Sequence, residues 1–325
     1  MLLISVISVN FPKVFLQTDL NSNSLYVSLF KDKNSYRYRE PVHIYGRIYY
    51  AGQPVEGGIV AVQLEHEGRI IALKTISAGV PSDNWPITIT SIIPCDSEGT
   101  PKEKFMRGED IYVNVTVRNN DINEMEITIS ITIFDIDLTP LDFAYLKANI
   151  NSLSTLSWMP QVEIIPEWCS TGTAQIAVSI LTDFPSEDGY PLCPGQTKNF
   201  VISSEGSTTA STKTIQSYTD STYYSVTYRI LPYSIPCSKT LDLYVGAYYS
   251  GMKAFANTTI PVNYEIVTDV VYDHIIDIYD VSAITILYGK GSTDELWNPI
   301  YDIVPNGEID IYDVSYVTIQ YGLSY

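Results

Sequence analysis

Asp269 to Gly289, DVVYDHIIDIYDVSAITILYG, returns as Asp302 to Gly322, DIVPNGEIDIYDVSYVTIQYG, at an offset of 33 residues with 13 of 21 aligned positions identical. A duplicated unit this short cannot bury its apolar face alone, so the two copies are read together. Acidic or amide side chains stand at positions 1, 5, 9 and 12 of each copy: Asp269, Asp273, Asp277 and Asp280, then Asp302, Asn306, Asp310 and Asp313. Hard divalent cations take six to eight oxygen ligands, and a 12-residue loop of this spacing wraps the chain round one ion. The backbone carbonyls of Ile275 and Glu308 fall at position 7, as in an EF-hand loop. Ile276 and Ile309 fall at position 8, where such loops pair in a short strand. A helix is expected next, capped by Asp280 or Asp313, with Val281, Ile284 and Tyr288, or Val314, Val317 and Tyr321, along one face. The opposing reading is an acidic helical hairpin that binds no metal.

Two such loops, each running into one helix, with the repeated phrase I-D-I-Y-D and a Tyr-Gly stop, resemble a dockerin domain. The resemblance covers roughly 60 of the 325 residues. It implies a small module with two bound Ca²⁺ ions that docks to a cohesin-like or other surface partner. It also implies that residues 10 and 11 of each loop, Ile278 with Tyr279 and Ile311 with Tyr312, present the docking surface in two equivalent orientations. The alternative for these four is mutual packing of the repeats. Two departures stand out. Val271 and Val304 occupy position 3, where the family has Asn or Asp, and His274 replaces the Gly of position 6 in the first loop, so the first site is expected to be the weaker.

The chain carries 37 acidic against 19 basic residues, a formal charge of −18, which argues against nucleic acid and anionic membranes as partners. Hydrophobic residues at 45% exclude a disordered chain, and 26 Tyr among runs of Ile, Val and Thr point to strands. Rows of Tyr serve cross-strand packing or stacking on sugars. Leu2 to Val9 is an apolar run too short to span a bilayer, and no membrane span is expected. It reads as a leader remnant, the first strand of its own domain, or a strand donated to a neighbouring copy.

The expected fold class is mainly β: tandem immunoglobulin-like sandwiches followed by the helical module. After an N-terminal strand or leader (1–22), strands at Leu25–Phe30, Val42–Tyr50, Ile59–Leu64 and Ile70–Lys74 predict a first sandwich over 23–85, with Ala51–Gly58 as a turn and Ala78–Trp85 as a linker. Its G-R-I-Y-Y-x-G-x-P-V stretch resembles a bacterial or archaeal surface module. Residues 86–203 predict an immunoglobulin-like sandwich, from the alternation of Ile111, Val113, Val115, Val117 and of Ile127, Ile129, Ile131, Ile133. Its phrases V-T-V-R-N-N-D and S-I-T-I-F-D resemble the cell-adhesion-related (CARDB-like) domain of such proteins. The acidic loop Asp183–Tyr190 is a solvated tip or a ligand or cation site. A third sandwich is expected over 204–264, built on a hairpin with a Ser250-Gly251 turn, and the calcium-binding repeat over 265–325.

No C-x-x-C spacing joins Cys95, Cys169, Cys193 and Cys237, which excludes a zinc or thioredoxin reading. A Cys95–Cys193 disulfide is expected if both lie at the same end of the sandwich, adding about 4 kcal/mol. Asn114 and Asn257 head glycosylation sequons. His43, His66 and His274 lie on separate segments without ligand or triad spacing, and no nucleophile elbow, phosphate loop or H-E-x-x-H occurs. The chain therefore reads as a non-catalytic extracellular protein, a β-sandwich stalk that docks through a calcium module. The rival readings are a subunit of an extracellular filament and an accessory module of a polysaccharide-degrading assembly. The ensemble resembles surface proteins of thermophilic archaea.

Overall fold

The computed structural model describes residues 24–322 except 38–39, 82–83, 167–168, 204–221, 231–239, 264–267, 269, 272–274, 292–293, 295, 299–300 and 305–306. The N-terminal segment 1–22, Asp269, Asp273, His274, Asn306, Cys237 and the Ser/Thr-rich segment 204–214 lie outside the described residues. The fold is mainly β, with several sheets.

The first seven strands are β1 (Leu25–Val27), β2 (Phe30–Lys31), β3 (Tyr36–Arg37), β4 (Pro41–Tyr50), β5 (Gln53–Pro54), β6 (Gly58–His66) and β7 (Arg69–Ala78). They do not close a domain. Their sandwich is completed by β17 (Tyr223–Arg229), β18 (Thr240–Tyr249) and β19 (Met252–Asn263), with sheets ordered β1-β4-β17 and β3-β19-β18-β6-β7. The expected first and third sandwiches are thus one sandwich. β6 shows why: Gly58 to Leu64 are all buried, and the strand takes β7 on one edge and β18 on the other, with Val62 opposite Val245. One core runs through both halves, from Ile44, Ile48 and Val62 to Tyr228, Leu243 and Val245.

Inserted between β7 and β17 is a second sandwich: β8 (Ile87–Cys95), β9 (Lys104–Met106), β10 (Asp110–Asn119), β11 (Met125–Phe134), β12 (Pro140–Ile150), β13 (Thr155–Trp158), β14 (Gln161–Ile164), β15 (Gly172–Leu181) and β16 (Gln196–Ser203). β8 and the β13/β14 pair flank β10 in one sheet, and the other runs β12-β11-β15-β16-β9. This is the immunoglobulin-like order expected for 86–203. The first sandwich repeats it strand for strand. In both, a short strand carrying a buried aromatic runs parallel to the last strand, placing Tyr36 opposite Val262 and Phe105 opposite Ile202.

The two bodies lie flank to flank, not in a row. Thr132 Oγ1 donates to the Leu73 carbonyl (2.9 Å) and accepts from its N–H (3.1 Å), while the Thr75 N–H donates to Ser179 Oγ (2.9 Å). Phe134 stacks on Tyr228 and Tyr190 on Tyr248. Backbone approaches so closely that a Cβ on Gly246 would sit 2.2 Å from the Gly189 carbonyl oxygen, and one on Gly195 2.4 Å from that of Thr75. The stalk of three modules is replaced by an interlocked pair.

After β19 the chain forms two nine-residue helices, α1 (Ile278–Ile286) and α2 (Ile311–Ile319), around a separate small core. Arg107 of the inserted sandwich lies 4.5 Å over the Trp297 ring of this region. No helix among the described residues is long and apolar enough to cross a membrane.

Candidate functional site

Nine-residue helices do not hold in water without tertiary support and caps. Here the caps are duplicated. Asp277 precedes α1 and accepts from the Tyr279 N–H (2.7 Å), and Asp310 precedes α2 and accepts from the Tyr312 N–H (2.7 Å). Capping therefore falls to position 9, not to Asp280 and Asp313. Those two complete capping boxes: Asp280 accepts from the N–H groups of Asp277 (2.9 Å) and Val271 (3.0 Å), Asp313 from those of Asp310 and Val304 (both 2.7 Å). An N-cap of this kind contributes about 1 kcal/mol.

Asp280, Asp302 and Asp313 are fully buried. Burial, opposed by its backbone donors, holds the Asp313 carboxyl above the ordinary range. Asp302 Oδ2 accepts from the Gly307 N–H (3.0 Å), and Gly307 has φ +83°, a left-handed turn that suits glycine at position 6. The two Val residues at position 3 do not intrude: their N–H groups anchor the position-12 carboxylates. Such a set of buried carboxylates on tight turns is the donor chemistry a hard divalent cation takes. Among the described residues no three acidic side chains close a metal-binding cluster, and Asp269, Asp273 and Asn306 are not among them.

The repeats are related by a local two-fold. The Gly289 N–H donates to the Ile309 carbonyl (2.8 Å) and, 33 residues on in both partners, the Gly322 N–H donates to the Ile276 carbonyl (2.7 Å). Glu308 bridges Gly291, and Ile309 donates to the Lys290 carbonyl. Position 8 of the second loop thus pairs with the segment leaving the first helix, and that of the first with Gly322 beyond the second helix. This replaces the expected pairing of position 8 with position 8. The core is equally paired: Val270 with Ile303, Ile276 with Ile309, Ile284 with Val317. Tyr288 and Tyr321 lie past the helix ends and are exposed, not on the buried face.

What the core leaves out is a matched apolar surface. Ile278 and Ile311 are each 55% exposed, Tyr279 and Tyr312 each 65%. Mutual packing of the repeats is therefore overturned for these four. The stripe continues to residues that sequence reading passed over, Ile286 at 79% and Ile319 at 83%. Their signal was the repeated I-x-x-x-S-x-x-x-I spacing, one helix face at i, i+4, i+8.

The other singled-out residues serve structure. Cys95, Cys169 and Cys193 are buried thiols, and the Cys95–Cys193 disulfide is not formed. Cys95 ends β8, whereas Cys193 lies beside Ile89 near its start. About six residues of strand at ~3.3 Å each set the two thiols some 20 Å apart, against the roughly 7 Å limit between bridged Cα atoms. Burial pushes the Cys193 thiol up to about 12. Asn114 is half-buried in a strand paired on both sides, whereas Asn257 and Thr259 are exposed. His43 and His66 are strand residues, and His43 Nδ1 meets Thr227 Oγ1 at 2.9 Å. The loop Asp183–Tyr190 is a latch: Lys147 pairs with Asp183 (2.8 Å) and Glu187 (3.1 Å), and Phe184 packs with Ala61 and Leu73 of the first sandwich.

No protein-family model matches the chain, and no curated protein matches its sequence. Among solved structures, the C-terminal domain of wzt aligns at TM-score 0.32 and 9% identity, over 42% of this chain and 86% of that one. A β-glucuronidase from glycoside hydrolase family 2 aligns at 0.29 and 10%, over 51% of this chain and 24% of the enzyme. A putative β-galactosidase from Bacteroides fragilis aligns at 0.28 and 9%, over 51% and 34%. The chain spans about a quarter to a third of those two enzymes, and nothing of their activity is transferred to it.

Proposed function

We propose that the C-terminal repeat is a calcium-held docking module of the dockerin type, carried by a non-catalytic two-sandwich body that works outside the cell. The observation that carries the reading is the matched exposure of Ile278, Tyr279, Ile311 and Tyr312 at two symmetry-related helix starts. Large apolar side chains kept in water on a soluble module are costly unless a partner covers them. A two-fold arrangement offers that partner, a cohesin-like or other surface protein, two equivalent orientations.

Calcium fits the buried acids. In loop 2 the ligands are Asp302, Asn306, the Glu308 carbonyl, Asp310 and Asp313; in loop 1 they are Asp269, Asp273, the Ile275 carbonyl, Asp277 and Asp280. The ion supplies positive charge where buried carboxylates are otherwise desolvated at a cost. The chain's residues do the rest: the capping boxes fix the position-12 carboxylates, and Gly307 turns loop 2. Loop 1, with His274 at that place, binds less tightly. The exposed Asn257 sequon suits an extracellular setting.

The test is binding of the full chain to immobilised cohesin domains in calcium, with Ile278→Asp/Tyr279→Ala and Ile311→Asp/Tyr312→Ala singly and combined. Each pair alone should leave binding through the other orientation, and the combination should abolish it. Absence of binding to every cohesin, or binding indifferent to the combined variant, would overturn the reading.

A further inference from the structure

The junction between the two sandwiches holds a cleft of about 450 Å³ that owes nothing to the helical repeat. Its walls come from three pieces of chain: the turn at Glu56 before β6, the crossing segment Asn84–Trp85 that leads into the inserted sandwich, and the β18–β19 hairpin tip at Tyr248, Tyr249 and Ser250. The volume falls within the ~300–1,000 Å³ of small-molecule sites, enough for one or two sugar rings.

The walls are fixed in advance. The Trp85 and Pro86 carbonyls accept from Asn120 Nδ2 (3.1 Å) and the Asn120 N–H (2.8 Å), tying the crossing segment to the inserted sandwich. Ser250 (φ +50°) and Gly251 (φ +83°) form the tight hairpin turn. Tyr248 forms the floor, since Tyr190 stacks on it at 5.5 Å and Trp85 meets it at 6.0 Å. That leaves Trp85 and Tyr249 as the aromatic faces for a ligand. Rings held this way lose little freedom when something stacks on them.

The polar groups define the ligand. The cleft offers a carboxylate (Glu56), an amide (Asn84) and a hydroxyl (Ser250), and none of its lining residues is Lys, Arg or His. An anion would find no counter-charge there. A quaternary ammonium wants rings wrapped round it, whereas Trp85 and Tyr248 are spent on each other. Apolar ring faces beside donors and acceptors that alternate in kind match a pyranose, which has flat C–H faces and an equatorial fringe of hydroxyls. We propose that this cleft binds a neutral carbohydrate, with Trp85 and Tyr249 stacking on the sugar and Glu56, Asn84 and Ser250 bonding its hydroxyls.

The experiment is native affinity electrophoresis of the full chain in gels containing soluble neutral polysaccharides: β-glucan, xylan, galactomannan or starch. At least one should retard the chain, with and without chelator, and free oligosaccharide of that polymer should relieve the retardation. Tyr249→Ala should weaken it at least about fivefold, the scale of one lost ring contact. Glu56→Gln with Asn84→Ala, both at exposed positions and outside either core, should weaken it likewise without touching the fold. Mobility unchanged in every polysaccharide, retardation equal in both variants, or relief by choline instead of oligosaccharide would each overturn the proposal. Retardation that survives chelator while cohesin binding is lost separates this site from the docking module.

Discussion

Asp313→Ala removes one carboxylate and, with it, the acceptor for two backbone N–H groups, those of Val304 and Asp310. Each buried donor left without a partner costs about 1–3 kcal/mol, so the loss is roughly 2–6 kcal/mol. That is large against the 5–15 kcal/mol of a whole domain, and the helical module has only its own small core to draw on. The variant should melt α1 and α2 together, because the Gly289–Ile309 and Gly322–Ile276 bonds knit each loop to the end of the opposite helix. Asp313→Asn separates two contributions, since it discards the buried charge but keeps one acceptor oxygen. If burying the charge dominated, this variant would be more stable than the parent in chelator; if the capping bonds dominate, it falls between parent and Ala. Hydrogen exchange on the full chain reads this directly, with β10 and β11 as the internal control. Parent-like protection of both helices in Asp313→Ala would refute the reasoning.

At the seam between the sandwiches, Thr132→Val keeps the shape but strands both the N–H and the carbonyl of Leu73, at about 1–3 kcal/mol each. Calorimetry should show the single endotherm of the body split into two. Asp135 is fully buried, and its desolvation lifts the carboxyl to about 6 from an ordinary 3.8 despite the N–H groups of Asp137, Thr139 and Ser170. A raised folded value means that the folded state holds the proton more tightly, so this contribution is full below about pH 4 and lost as pH rises through about 6. The thermal midpoint should fall across that window, on a scale of ~3 kcal/mol, and Asp135→Asn should flatten the slope. Alkylation in denaturant without reductant should label both Cys95 and Cys193; protection of the two together would restore the disulfide.

The half-buried strands were legible because one face of each is wet: β4, β10 and the β18–β19 hairpin alternate, and their registers follow the alternation. The repeat was legible for a different reason, since duplication keeps buried and exposed positions in step 33 residues apart. The domain boundary was not, because the partner of β6 lies beyond an entire inserted domain and no local pattern points to it. A quieter signal existed: Tyr36, Val42, Ile44 and Ile48 recur as Phe105, Ile111, Val113 and Val117 at a constant offset of 69, two copies of one sandwich opening. The cysteine pairing failed on a single phase error, taking Cys95 as the start of a strand that it ends. The caps were misplaced by one turn because Asp277 and Asp280 both satisfy a cap pattern, and only the hydrogen bonds separate their roles.

The central claim is that calcium holds the duplicated loops. Isothermal titration of Ca²⁺ into the chelator-treated 325-residue chain, beside the Asp302→Ala variant, tests it most directly. The account predicts two ions per chain, the weaker in the loop of Asp280, a gain of helix on binding, and loss of at least one ion in the variant. No heat, or heat that Asp302→Ala leaves unchanged with the helices already at full strength in chelator, would contradict it.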